Sequence, residues 1–223
     1  MTVKLFFQAI FKFFAGLVLF LLLLLIPAGT FYYAQAWFLS GILFIPMFCA
    51  GILMMIKNPG LLKKRLQAKE EQAEQKAVII LSIIMFASAF IAAGISFRFD
   101  FLMLPFWASI AASVIFLTAY ILYAEVLREN VYLSRTVEVQ ENQKVIDTGL
   151  YGVVRHPMYM STLLLFLSMP VVLGSVISFV IMLFYIPIIA LRMKNEEQVL
   201  EKGLCGYSEY KKRVKYKIIP FIW

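Results

Sequence analysis

Long uncharged runs separated by short polar segments dominate this chain. The four runs are Phe13 to Ile56, Ala77 to Phe97, Phe101 to Ala124 and Pro157 to Leu191. A helix needs about 20 apolar residues to cross a bilayer. The second and third runs therefore predict one membrane span each, and the first and fourth are long enough for two each.

Breaks inside the two longest runs set the number of crossings. The first run is interrupted around Pro27 to Gly29, and Pro170 and Gly174 mark a turn in the fourth. These breaks predict six crossings, or five if Met158 to Leu191 forms one kinked helix. The fold class is therefore an all-α, multi-pass membrane bundle of five to six transmembrane helices.

Composition agrees with a membrane protein. The chain is 62% hydrophobic and 15% charged, whereas soluble domains are about 45–50% apolar and about 25% charged. Of its 21 Lys and Arg residues, only Arg98 falls in a segment placed outside the cell. The positive-inside rule then puts both termini and both long polar loops in the cytoplasm. We expect the protein to lie in the cell (inner) membrane. The net charge of +8 fits this topology and anionic lipid, and no nucleic-acid-binding motif accompanies it.

Polar chemistry is concentrated in the second half of the chain. We predict an N-terminal transmembrane part, residues 1–124, and a C-terminal core, residues 125–223, made of a polar loop, a helical hairpin and an amphipathic tail. Cys49 and Cys205 predict no disulfide, because one lies in a span and the other in the cytoplasmic tail. A single histidine and no Cys/His cluster predict no metal site.

The first motif is "QENQKVIDTGLYGVVRHPMYM", residues 140–160, which contains the only histidine, His156. Arg155 and His156 immediately precede a helix that Pro157 is suited to begin. The structural interpretation is an interfacial helix start, with the arginine at lipid phosphates and Tyr159 in the aromatic belt. The functional interpretation is a site at the membrane surface.

Two further motifs follow the last apolar run. In "LRMKNEEQVL", Arg192 and Glu196 are four residues apart and share one face of a helix. In "GYSEYKKRVKYKIIPFIW", Tyr207, Tyr210 and Arg213 recur at helical spacing. The structural interpretation of the first of these two motifs is a surface ion pair. That of the second is an amphipathic interfacial helix.

Taken in order, these motifs resemble the isoprenylcysteine carboxyl methyltransferase family of membrane enzymes. The resemblance covers about Val139 to Pro220 and consists of a glycine-bounded loop, Arg-His-Pro-x-Tyr, a Glu-Glu-x-x-Leu helix and a Tyr-x-x-Tyr-x-x-Arg-Val tail. The chain departs from it at Ser161, where the family usually has glycine, and at Lys215, where many members have proline.

The resemblance implies S-adenosylmethionine as cofactor, with the polar loop and the tail capping the site. It implies that Arg192 faces the acceptor. Because an arginine can grip an anion through two hydrogen bonds, we expect Arg192, with Arg155 as a second candidate, to orient an anionic acceptor. The implied cofactor contacts are Gln140, Gln143, Lys144, Val145, Ile146, Tyr151, His156, Pro157, Met158, Tyr159 and Glu196.

The residues themselves are compatible with methyl transfer. No Gly-x-Gly-x-x-Gly sequence signals a Rossmann-type cradle, and a carboxylate acceptor is ionised at pH 7 without a general base. We therefore expect methyl transfer to a lipophilic acceptor from the bilayer, and the resemblance implies that this acceptor is an isoprenylcysteine-like carboxylate. The alternatives are a phospholipid amine or small thiol acceptor, an NADPH-dependent membrane reductase, and a non-enzymatic membrane assembly factor.

Overall fold

The computed structural model describes residues 3–57, 59–60, 62, 66, 73–133 and 137–223. Within these residues the long regular elements are all helices. Their bounds are α1 Val3–Ala28, α2 Ala34–Lys57, α3 Ala73–Arg98, α4 Phe106–Glu129, α5 Pro157–Val172, α6 Val176–Met182, α7 Tyr185–Gly203 and α8 Tyr207–Arg213. A single 3-10 turn, Gly149–Gly152, lies in the polar loop before α5.

Among the described residues, five segments are long and apolar enough to cross a membrane, which confirms a multi-pass, all-α integral membrane protein. They are Leu5–Ala28, Ala34–Lys57, Gln75–Arg98, Phe106–Glu129 and Val176–Gly203. Helix α5 is also apolar but has only 16 residues. At 1.5 Å per residue it is about 24 Å long, shorter than the roughly 30 Å hydrocarbon core.

Glycines with positive φ end two of these helices where the sequence predicted breaks. Gly29 has φ 67° directly after α1, and Gly174 has φ 75° between α5 and α6. Glycine adopts this left-handed conformation without the steric cost that a side chain brings. Ser175 then begins α6, its side chain accepting a hydrogen bond from the Ser178 N–H.

The chain folds into two compact units that interleave along the sequence. The first comprises residues 1–68, 84–114 and 167–183, and the second comprises residues 69–83, 115–166 and 184–223. The division at residue 124 follows composition along the chain and stays a prediction.

The first unit is an apolar scaffold. Phe20 packs edge-on against Phe44 and Phe90, with ring centroids 5.5 and 5.0 Å apart. Gly94 lies so close to α1 that an added Cβ would come within 2.5 Å of the Leu24 carbonyl oxygen. Helices in lipid gain packing energy where small residues allow such close approach.

The second unit holds the polar loop, α7, α8 and the tail. Helix α7 begins in the apolar sequence "YIPIIAL" and becomes charged from Arg192 onward. Gly206, with φ 83°, turns the chain from α7 into α8. The buried side chains Leu204, Tyr207, Tyr210 and Val214 then form a small core, against which Val139, Val145 and Leu200 pack.

Candidate functional site

The second unit contains a cavity of about 860 Å³, a volume that includes its open mouth. The cavity is lined by Asn130, Tyr132, Leu133, Val137, Glu138, Gln143, Lys144, Val145, Ile146, Tyr151, Arg155, His156, Met158, Tyr159, Arg192, Glu196, Leu200, Leu204, Tyr207 and Tyr210.

The structure brings together all the candidate site residues except Gln140 and Pro157, which stand outside this lining set. Gln140 shapes the loop instead. Its N–H donates to the Gln143 side-chain oxygen at 2.8 Å, and its side-chain amide donates to the Tyr132 carbonyl at 2.6 Å. Pro157 is the first residue of α5, where a missing N–H is not needed by the helix.

A row of three polar side chains crosses one wall of the cavity. Arg192 Nε donates to the Tyr159 hydroxyl at 3.0 Å, and that hydroxyl donates to the Glu196 carboxylate. Arg192 and Glu196 are one turn apart on α7, so the tyrosine from α5 fits between them. The row holds a positive and a negative group in fixed positions on the cavity wall.

Glu197, the neighbour of Glu196, forms a buried ion pair behind the cavity. Its Oε1 accepts from Arg155 Nε at 2.8 Å and lies 3.1 Å from His156 Nε2, with all three side chains almost fully buried. A carboxylate only accepts, so this contact favours the His156 tautomer that carries its proton on Nε2. The sequence analysis did not single out Glu197, and the Glu196-Glu197 doublet was its only signal.

Backbone hydrogen bonds attach the tail to the start of α5. The N–H groups of Arg155 and His156 donate to the carbonyls of Tyr216 and Lys217 at 2.9 and 2.8 Å. The Arg155 Nη1 atom donates to two more tail carbonyls, those of residues 214 and 215, both at 2.8 Å. Arg155 therefore holds the tail in place, in addition to lining the cavity.

Tyrosines join α8 to the polar loop. The Tyr210 hydroxyl donates to the Tyr151 carbonyl at 2.8 Å, and the Tyr151 hydroxyl accepts from the Asn130 side chain at 2.9 Å. Burial raises the pKa of Tyr151 and Tyr210 well above the usual value for tyrosine. Both phenols therefore stay protonated at physiological pH.

Gly149 allows the polar loop to pass close to Glu129, the last residue of α4. It has φ 50°, and a Cβ there would come 1.4 Å from a Glu129 carboxylate oxygen. The other Glu129 oxygen accepts a hydrogen bond from the Leu150 N–H at 3.1 Å. Glycine is needed here both for the left-handed backbone and for the close approach of the carboxylate.

Several lining residues escaped the sequence analysis. Asn130, Tyr132, Val137 and Glu138 belong to the loop segment before the recognised motif, and no residue pattern distinguishes them. Tyr207 and Tyr210 were noted for their helical spacing and as part of the tail motif, without a role in the site, and both line the cavity.

The fold and the cavity define a multi-pass helical membrane protein with a polar pocket built from its C-terminal half. A family model described as phospholipid methyltransferase matches residues 107–204. This segment contains the polar loop, α5 and all of α7. The match covers less than half of this chain and shows its similarity to that family. It does not confirm the carboxyl methyltransferase family suggested by the motifs.

The chain is also similar to a Delta(14)-sterol reductase of Mus musculus. The two are 31% identical over 91 residues, which make up 40% of this chain and 22% of the reductase. The chain thus spans about a fifth of the length of this curated relative.

Proposed function

We propose that this protein transfers a methyl group from S-adenosylmethionine to a lipophilic acceptor at the cytoplasmic surface of the membrane. The observation that carries the proposal is a cavity that the loop at 143–151, the start of α5 and the charged part of α7 line together. The family match over residues 107–204 supports the same class of reaction.

The residues present fit such a cofactor. Val145 and Ile146 offer an apolar surface for the adenosyl part, and Tyr151 and Met158 add aromatic and thioether surface beside it. Glu196 would hold the positively charged ammonium group, because its carboxylate is fixed by Tyr159. When bound, S-adenosylmethionine supplies an electrophilic methyl group on a sulfonium.

In this proposal the chain contributes positioning rather than acid–base chemistry. Arg192 orients an anionic acceptor, with its side chain held by Tyr159. Arg155, through its bonds to Glu197 and the tail carbonyls, keeps the tail in place beside the reacting groups. Alignment of two reactants can lower a barrier by roughly 7–11 kcal/mol, and exclusion of water strengthens the electrostatic interactions inside.

The acceptor we favour is a carboxylate of the isoprenylcysteine type, since Arg192 suits an anion. A phospholipid amine is the second candidate, because the matching family is named for phospholipid methylation. The pH dependence of the rate separates them. A carboxylate is fully ionised above about pH 6, so its rate would be flat from there to pH 9. An amine must lose a proton before it attacks, so its rate would rise with pH.

The similarity to the mouse Delta(14)-sterol reductase suggests a reductase function as an alternative. The charge of the cavity argues against it. The described charged side chains of the lining are Lys144, Arg155 and Arg192 against Glu138 and Glu196, and Arg155 is already bonded to Glu197. Dinucleotide phosphates call for an excess of basic groups, whereas this near-neutral lining suits a cofactor whose end is both cationic and anionic.

The proposal is tested by calorimetric titration of the detergent-purified protein with S-adenosylhomocysteine. We expect binding to the unchanged protein and loss of binding in His156→Ala and Glu196→Ala, with both variants still folded by circular dichroism. Glu201→Ala is the matched control, since Glu201 lies on the same helix, pairs with Lys211 outside the cavity and is more than a third exposed. Unchanged affinity in the two cavity variants would refute the assignments.

Thermal melting distinguishes the remaining functions. A ligand at 100 times its Kd stabilises the folded state by about 2.7 kcal/mol. Stabilisation by NADPH and not by S-adenosylmethionine would establish the reductase, and no effect of either would favour the assembly factor. Incubation of membranes with radiolabelled S-adenosylmethionine, followed by isolation of the labelled product, identifies the acceptor.

A further inference from the structure

One tyrosine of the cavity differs from the others in its hydrogen bonding. Tyr207, the first residue of α8, is only 4% exposed and lines the cavity. Its hydroxyl has no hydrogen-bond partner among the residues that the structure describes. By contrast, the hydroxyls of Tyr151, Tyr159 and Tyr210 each have a partner on neighbouring segments.

A buried hydroxyl without a partner is unfavourable, and native proteins satisfy nearly all such groups. Burial, together with the negative charges of Glu197 and Glu196, raises the pKa of Tyr207 well above its usual value. The phenol is therefore a protonated donor at neutral pH. A donor of this kind on a cavity wall is suited to an acceptor supplied by a bound molecule.

The charges around Tyr207 indicate which part of a ligand it would meet. Tyr207 lines the same cavity as Arg155 and Glu196, whose side chains carry charge. The charged end of S-adenosylmethionine is its amino-acid group, which carries one ammonium and one carboxylate. A carboxylate only accepts hydrogen bonds, and so it complements a hydroxyl that needs an acceptor.

We propose that the Tyr207 hydroxyl is a cofactor-binding group that donates a hydrogen bond to the ligand carboxylate, while Glu196 takes the ammonium. This inference rests on the proposed function. It adds a contact from α8, beyond the residues that the motifs implied. It also gives the C-terminal part of the chain a direct role in binding. Tyr207 begins α8, and Arg155 binds backbone carbonyls of the tail that follows this helix.

The test compares Tyr207→Phe with Tyr210→Phe, because each variant removes one oxygen from neighbouring tyrosines of α8. Thermal melting is measured first without ligand. Tyr207→Phe should melt at or above the temperature of the unchanged protein, because it removes an unpaired group. Tyr210→Phe should melt lower, because it leaves the Tyr151 carbonyl without its donor.

Affinity is then measured by calorimetry for S-adenosylhomocysteine and for its analogue that lacks the carboxylate. Tyr207→Phe should bind S-adenosylhomocysteine roughly 10- to 100-fold more weakly, the effect of losing a hydrogen bond to a charged group. Its affinity for the decarboxylated analogue should stay within about twofold of the unchanged protein, since that analogue has no group for the hydroxyl to bind.

Three results would overturn the inference about Tyr207. These are an unchanged affinity for S-adenosylhomocysteine, an equal loss for both ligands, or a lower melting temperature without ligand. Each leaves the proposed function standing, because the unchanged protein still binds. If the unchanged protein binds neither ligand, the proposed function fails, and the role of Tyr207 fails with it.

Discussion

Replacement of Glu197 by alanine should destabilise this protein strongly, because it breaks a buried ion pair of the second unit. The carboxylate is buried, with a side-chain exposure of 6%, and it accepts from Arg155 Nε at 2.8 Å. His156 Nε2 lies 3.1 Å from the same oxygen. Removal of the carboxylate would leave a buried guanidinium without its counter-charge, beside a histidine that has lost its acceptor.

The size of the effect follows from the remaining contacts. Removal of one partner of a buried ion pair costs about 3–5 kcal/mol. Arg155 keeps its hydrogen bonds to two tail carbonyls, which places the expected loss near the lower end, about 3 kcal/mol. Lys211 and Lys217 lie 3.4 and 3.8 Å from the other Glu197 oxygen and are about one-third exposed. Solvent screens such pairs, so they add little.

The assay is unfolding in mixed micelles titrated with SDS and followed by circular dichroism. Glu201→Ala is the control, because Glu201 is one turn further along α7, lies 2.7 Å from Lys211 and is 37% exposed. Its loss should cost under about 1 kcal/mol. Glu197→Gln keeps an acceptor oxygen and should fall between the two. If Glu197→Ala and Glu201→Ala destabilise the protein equally, the buried ion pair does not hold the tail as argued.

Three glycine substitutions, one of them a control, test the packing of the two units by the same unfolding assay. Gly94→Ala should cost about 1–3 kcal/mol, because its Cβ would meet the backbone of Leu24. Gly16→Ala, with nothing within 4 Å, should be neutral or stabilising by up to about 1 kcal/mol, and an equal loss at both positions would contradict close packing. Gly149→Ala should cost about 1–2 kcal/mol for its left-handed backbone, displace the Glu129 carboxylate and weaken S-adenosylhomocysteine binding. Unchanged binding would show that the loop conformation is not needed.

The membrane spans could be predicted because charge and length alone distinguish them. The breaks at Gly29 and Gly174 could also be predicted, because a glycine in an apolar run is a signal for a turn. Both glycines adopt positive φ in the structure. The division of the last run into α6 and α7 was missed. Pro187 lies in the first turn of α7, which begins at Tyr185, and a proline is tolerated there and not deeper in a helix. That residue was the available signal for the start of α7.

The candidate site was predictable as a set of segments, and much less so as a set of contacts. Spacing along α7 identified Arg192 and Glu196 as neighbours, and both line the cavity. Spacing does not say which of Glu196 and Glu197 faces the cavity, because adjacent helical residues point about 100° apart and the choice depends on what packs against each. Arg155 shows the same limit, since its partners lie about 40 to 60 residues away in sequence.

The phospholipid methyltransferase match ends at residue 204, whereas the cavity continues beyond it. Tyr207 and Tyr210 come from α8, and both line the cavity. Arg155 lies inside the matched segment and binds two carbonyls just after α8, and the Tyr210 hydroxyl binds the Tyr151 carbonyl. The matched segment thus provides a frame, namely the part of the cavity lining that includes the Arg192–Tyr159–Glu196 row. The residues of α8 that follow it complete the cavity wall. Because the completed wall determines which polar groups a ligand must satisfy, differences in the tail can alter ligand choice while the frame stays recognisable.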